Sequence, residues 1–143
     1  MAPSSDSRRS SIDRSMLAAV AAAIEPVSDE RLSGWVLVAG TLDHHIRTLF
    51  ARARVIMWDA TSTLRLPRES FHLALWLADA SLPSADLDTL VTVRNALGRD
   101  AALFAAGGTE RLDRIRELAQ TAGLSRCALR SSTSTHSVIE LRR

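Results

Sequence analysis

Five stretches of the chain carry large apolar residues at intervals of three and four, and short polar links separate them. Apolar residues at this spacing form one face of an amphipathic helix, so the pattern predicts five helices. Short links between helices favour packing of neighbours side by side. The sequence therefore predicts a mainly α fold, a single helical bundle of about five helices. The predicted spans, by residue number, are 11–25, 33–57, 67–77, 84–104 and 109–122.

The last twenty residues are open to two interpretations. Residues 126–130 and 136–141 are apolar enough to form two strands, and a polar run of Ser and Thr between them would make the turn of a short hairpin. The same residues could instead form one short helix and a frayed end. We divide the chain into a disordered tail (1–10), a helical bundle domain (11–122) and a C-terminal appendage (123–143).

The length of 143 residues leaves room for one compact domain and excludes a multi-domain enzyme. The formal net charge is only +2, so the basic character is weak support for a nucleic-acid partner. The single cysteine, Cys127, cannot form an intrachain disulfide, which suits a reducing cytoplasm. The longest apolar run, Met16–Ile24, is much shorter than the roughly 20 residues that span a bilayer. We expect a cytoplasmic protein with no membrane partner.

The residues that could carry chemistry do not form a recognisable catalytic set. His44 and His45 are adjacent, which on a helix directs them about 100° apart, so they cannot chelate one metal ion. A two-histidine site between His45 and His72 is a remote alternative. No glycine-rich phosphate loop, Ser-His-Asp set or carboxylate pair stands out. We therefore predict no catalytic residue, no cofactor and no metal.

Arg94 falls on the apolar stripe of its predicted helix, so its guanidinium needs a carboxylate or a route to solvent. Asp43 lies at the margin of the apolar face of the second predicted helix. We predict a structural ion pair between Asp43 and Arg94. In the alternative, Arg94 extends to solvent and Asp43 pairs with Arg47 at the favoured spacing of four residues.

Residues 70–82 and 86–99 resemble the two-helix core of the MtlR (mannitol operon repressor) family, which belongs to the HEPN-like group of helical bundles. The stretch 34–43 is similar to that family's first core helix. Active HEPN proteins cleave RNA with an Arg, a polar residue and a His a few positions later. Arg94-Asn95 matches the opening of that motif, but residues 99–101 contain no His. The resemblance thus implies a member that is not an enzyme.

These observations predict a non-enzymatic regulatory protein that acts by association with a protein partner or as a homodimer, with transcriptional repression as its output. The alternative is a helix-turn-helix transcription factor built from residues 115–132. In that alternative Arg126 and Arg130 contact nucleic acid from a recognition helix. A third hypothesis, an RNA-cleaving toxin, is disfavoured by the missing His.

Overall fold

The computed structural model describes residues 4–27, 32–40, 44–58, 65–80 and 82–143. Within these ranges, six strands form one sheet and four helices pack on its two faces. The strands are β1 (Trp35–Ala39), β2 (Arg54–Trp58), β3 (Phe71–Leu77), β4 (Leu97–Gly107), β5 (Arg126–Ser132) and β6 (Ser137–Arg142). The helices are α1 (Ser4–Ile24), α2 (His44–Leu49), α3 (Asp86–Ala96) and α4 (Thr109–Thr121). The fold is α/β, so the prediction of a mainly α bundle is wrong.

The strand order in the sheet is β2-β1-β3-β4-β6-β5. β2, β1, β3 and β4 run parallel, whereas β6 is antiparallel to both β4 and β5. Parallel neighbours need a crossover connection, which α2 provides between β1 and β2 and α3 provides between β3 and β4. The antiparallel β5–β6 hairpin then closes one side of the sheet.

Two hydrophobic layers enclose the sheet. Alternate residues of each strand point to opposite faces, so Leu37 and Val38 of β1 belong to different layers. Leu90 of α3 and Ile115 of α4 complete the layer of Leu37, and Val20 of α1 packs in the layer of Val38. All five side chains are fully buried. The central strands are therefore covered on both faces.

Three of the five predicted helices are wrong in whole or in part. The span 33–57 contains β1, α2 and β2, and the span 67–77 contains β3. The span 84–104 is a helix only as far as Ala96 and then becomes β4. Parallel strands that are buried on both faces are nearly continuous apolar runs, and such runs also satisfy a spacing of three and four.

Other parts of the prediction agree with the structure. The last predicted helix is α4, and the hairpin interpretation of the C-terminal residues is confirmed by β5 and β6. The first helix ends at Ile24, before Pro26, as the ring of that proline requires. It begins at Ser4, inside the segment predicted as a disordered tail.

Candidate functional site

The connections that leave β1 and β3 diverge at one edge of the sheet. From β1 the chain passes to β2 on one side, and β3 lies on the other side of β1. At such a switch point the connections after the two strands separate, and a crevice opens at the carboxyl ends of the strands. The candidate site is therefore the edge where β1 ends at Ala39 and β3 ends at Leu77.

Gly40 follows β1 directly and has a φ of +123°, in the region that favours glycine. A Cβ atom at this position would lie 3.0 Å from Leu77 Cβ and 3.3 Å from the Leu77 carbonyl oxygen. Its N–H donates a hydrogen bond to the Trp58 carbonyl, at 3.3 Å, at the end of β2. A bare glycine backbone thus joins the ends of three parallel strands at the crevice.

Asp79 lies just beyond β3, in the 3-10 turn Ala78–Ala80, and its side chain is 37% exposed. Its Oδ1 accepts the N–H of Gly108 at 3.2 Å, and its Oδ2 lies 3.3 Å from His136 Nε2. A Cβ atom on Gly107 would come within 2.9 Å of Asp79 Oδ1, so a side chain there would displace this carboxylate. The carboxylate is therefore held in a fixed position at the crevice by residues that follow β4 and precede β6.

His136 connects this carboxylate to α1. The imidazole is buried, and its Nδ1 lies 2.9 Å from Thr135 Oγ1 and 3.3 Å from Ser15 Oγ. Ser15 Oγ also lies 2.9 Å from Thr133 Oγ1 and 2.7 Å from Thr135 Oγ1. This hydroxyl cluster ties α1 to the β5–β6 turn beside the crevice.

A buried ion pair braces the helices that follow β3 and β4. Asp86, at the start of α3, is fully buried and accepts two hydrogen bonds from Arg111 in the first turn of α4. Two parallel N–H···O bonds fix both the distance and the orientation of the partners. The pair holds the helices next to the crevice in one arrangement.

Arg94, Arg126 and Arg130, the predicted site residues that the structure describes, are not at this edge. Arg94 lies near the end of α3, where its Nη1 donates to Asn95 Oδ1 at 3.4 Å and its Nε is buried without a hydrogen-bond partner among the described residues. Asp43 lies outside the described residues, so the pair with Arg94 stays a prediction. Arg126 and Arg130 are on β5, an outer strand, and not on a recognition helix. The helix-turn-helix alternative is therefore wrong, because residues 126–132 form a strand.

Sequence reasoning missed Gly40 and Asp79, although one signal was present. A glycine after a first buried strand, followed about 20 residues later by an acidic residue after a second strand, is typical of nucleoside-binding α/β folds. Gly40 fits this pattern, and Asp59 directly follows Trp58, the last residue of β2. Asp59 itself lies outside the described residues. The interpretation of β1 and β2 as one helix hid the signal.

The described part of the chain contains no group of three His, Cys, Asp or Glu side chains placed to hold a metal ion. None of the helices in that part is long and apolar enough to cross a membrane.

No known protein-family model matches the chain, and no curated protein matches it by sequence. Solved structures do match. The chain is similar to a possible histamine N-methyltransferase from Thermotoga maritima, a methyltransferase that depends on S-adenosylmethionine (SAM). The TM-score is 0.66 and the identity 13%, over 96% of this chain and 94% of that one.

Two other structures support the same fold. A TehB-like SAM-dependent methyltransferase from Corynebacterium glutamicum matches with a TM-score of 0.58 and 15% identity, over 97% of this chain and 98% of that one. The 16S rRNA N2 G1207 methyltransferase of T. thermophilus matches with a TM-score of 0.64 and 15% identity, over 89% of this chain and 38% of that one.

These similarities correct the family prediction. The matched structures are SAM-dependent methyltransferases with an α/β sheet, so the resemblance to the helical MtlR and HEPN-like proteins is wrong. The prediction of a non-enzymatic helical regulator depended on that resemblance and is wrong with it. At identities this low the comparisons establish the fold, and the fold of this chain is that of the SAM-dependent methyltransferases.

Proposed function

We propose that this protein is a SAM-dependent methyltransferase that binds its cofactor at the carboxyl edge of β1 and β3. The observation that carries the proposal is the glycine at this edge. Gly40 has a positive φ and lies against Leu77 with no room for a side chain, within a fold shared with enzymes that use this cofactor.

The residues at this edge fit the chemistry of the cofactor. SAM presents ribose hydroxyls, which can donate hydrogen bonds to a carboxylate. It also has a cationic methionine part, which a carboxylate attracts. Asp59 follows β2 at the position where an acidic residue commonly binds a ribose hydroxyl. Asp79 offers a partly exposed carboxylate at the end of β3. We assign the ribose to Asp59 and the positive charge to Asp79.

The connection after β1 also suits a nucleoside that carries no phosphate. It reads Gly40-Thr41-Leu42-Asp43-His44, with a single glycine. Dinucleotide-binding proteins use further glycines there so that backbone N–H groups can approach the pyrophosphate. SAM has no phosphate, so this role of the further glycines does not apply to it.

When bound, the cofactor supplies an electrophilic methyl group. The residues of the chain bind and orient it. Gly40 allows close approach to the backbone, and the Gly108 N–H together with His136 keeps Asp79 in place. A carboxylate fixed in advance stabilises a nearby positive charge without reorganisation when the ligand binds.

Two other predictions from the sequence, the cellular location and the association with a partner, remain proposals. We propose that the protein is cytoplasmic, because its one cysteine needs no oxidising compartment. Association with a second copy or another protein also stays a proposal, which light scattering of the purified protein would check.

The test is calorimetric titration of the purified protein with S-adenosylhomocysteine, the demethylated cofactor, alongside melting curves. We expect saturable binding and a melting temperature that rises with ligand concentration. Asp59→Asn should weaken binding at least tenfold. Asp88→Asn, which changes an exposed carboxylate on α3, is the matched control and should bind like the unmodified protein. The absence of binding at millimolar ligand, or equal losses in the two variants, would refute the proposal.

A further inference from the structure

Three arginines and one carboxylate lie close together on the β5–β6 hairpin. Arg126 and Arg130 are on β5, and Glu140 and Arg142 are on β6. Arg130 Nη2 and Arg142 Nε donate to the same oxygen of Glu140, at 3.0 and 2.9 Å. The Glu140 side chain is 9% exposed, whereas those of Arg130 and Arg142 are 43% and 33% exposed. We call these four residues the arginine face.

The arginine face is open because α1 covers only part of the hairpin. The helix contacts the turn end, where Ser131 Oγ donates to the Ala19 carbonyl. α1 then ends at Ile24, and two grooves of about 360 and 340 Å³ open beyond it. Both grooves are lined by Arg130, Glu140 and Arg142, so they adjoin one another on the hairpin.

The charges on this face are not balanced. Arg126 and Arg142 are register partners across the two strands, and like charges directly opposite one another destabilise a sheet. Among the described residues, the guanidinium of Arg126 has no hydrogen-bond or ion-pair partner. One carboxylate neutralises one of three guanidinium groups. The face therefore carries an excess of positive charge, which attracts an anion.

Glu140 keeps two of the guanidinium groups aligned. Burial raises the pKa of Glu140, but hydrogen bonds from Arg142 and Arg130 and their positive charges lower that pKa more, so the net change is downward. The carboxylate is therefore ionised at neutral pH. In its bond to Glu140 each arginine uses one of five N–H donors, and both side chains are partly exposed to solvent.

We propose that the arginine face binds the phosphodiester backbone of a nucleic acid. Guanidinium groups match phosphate oxygens in geometry and charge. Arg126 and Arg130 are four residues apart on a strand, or about 13 Å, which is too far for one phosphate and suits a row of them. Contacts of this kind hold the backbone and do not read the bases.

This site is separate from the proposed cofactor site. Gly107, at the end of β4, pairs with Ser137, and Leu103, earlier in β4, pairs with Leu141. Gly40 and Asp79 lie at the carboxyl ends of the parallel strands, and Arg142 therefore lies towards the opposite ends of those strands. The inference does not depend on the proposed methyltransferase activity, and each can fail without the other.

The test is fluorescence anisotropy with a labelled twelve-nucleotide oligothymidylate and a twelve-base-pair duplex, between 25 and 200 mM salt. We expect the protein to bind the single strand more weakly as the salt concentration rises. A plot of the logarithm of the association constant against the logarithm of the salt concentration should have a slope of about −2, because each of three phosphate contacts contributes about −0.7. Arg126→Ala should reduce the magnitude of that slope by about 0.7. It should leave S-adenosylhomocysteine binding unchanged. The ratio of the two affinities shows which form of nucleic acid the face prefers.

Arg116→Ala is the matched control, because it removes an exposed arginine from α4, on the other side of the sheet. It should leave the slope unchanged. Equal effects of Arg116→Ala and Arg126→Ala would mean general charge attraction and would overturn the proposal. So would no binding at 25 mM salt. Two competitors are compared with unlabelled oligonucleotide: a glutamate dodecapeptide, and inorganic phosphate at the same phosphate concentration. If either one competes as strongly as the oligonucleotide, the proposal is overturned.

Discussion

Arg111 donates two hydrogen bonds to Asp86, from Nε to Oδ2 at 3.0 Å and from Nη2 to Oδ1 at 2.7 Å. The Asp86 side chain is fully buried and that of Arg111 is 15% exposed. This pair joins α3 and α4, the two helices that follow β3 and β4. The ion pair predicted from the sequence, between Asp43 and Arg94, stays a prediction because Asp43 lies outside the described residues.

Asp86→Asn should lower the free energy of unfolding by about 3–5 kcal/mol, because it removes the carboxylate charge from a buried ion pair. Urea denaturation of both proteins measures the difference. Asp88→Asn, on the exposed side of the same helix, should change the free energy of unfolding by less than about 0.5 kcal/mol. A loss below about 1 kcal/mol in Asp86→Asn would show that the pair behaves like a surface ion pair.

Gly40→Ala should destabilise the protein by about 1–3 kcal/mol, because the φ of +123° strains any residue with a Cβ and that Cβ would press on Leu77. Thermal and urea unfolding report the loss. Gly108→Ser is the control, since a Cβ there meets no atom within 4 Å and φ is −65°. Serine is also a good helix N-cap, so the free energy of unfolding of this variant should rise by about a few tenths of a kcal/mol. Equal stabilities of the two variants would contradict the assigned backbone at Gly40.

Glu140 should make stability depend on pH in the acid range. Its pKa in the folded protein is below its ordinary value of 4.5, so its contribution is complete above that value and is lost as the pH falls through the folded pKa. As the pH falls through and below 4.5, the free energy of unfolding should therefore fall more steeply in the unmodified protein than in Glu140→Gln. Parallel curves for the two proteins would exclude this role for Glu140.

Ser15→Ala should loosen α1 from the sheet, because it removes a hydroxyl that lies within hydrogen-bond distance of Thr133, Thr135 and His136. We expect faster amide hydrogen exchange in residues 15–24 and a loss of about 1 kcal/mol in stability. Exchange in α4 serves as the internal reference and should not change. Ser125→Ala, at an exposed position, should reproduce neither effect. If exchange rises equally in α1 and α4, the hydroxyl contributes to global stability and not to the attachment of α1.

The proposed site could have been found from the sequence only in part. Gly40 and Asp59 lie about 20 residues apart, which is a nucleoside-binding signal once two strands are recognised. No pattern in the sequence indicated Asp79. Its position depends on Gly108, which is 29 residues away, and on His136, which is further away still. Both contact Asp79 only because β4 and β6 are neighbours in the sheet.

Local rules in the sequence determined the elements with clear starts and stops. Gly123 ends α4, Pro26 follows the end of α1, and the Ser and Thr run between two apolar segments forms the turn of the hairpin. The sequence did not decide the fold class. Trp35–Ala39 and Phe71–Leu77 are apolar on both sides, so their periodicity fits a helix and a buried strand equally well. Only the packing of helices on both faces of one sheet makes those segments strands, because burial on two faces removes the alternation by which a strand is recognised.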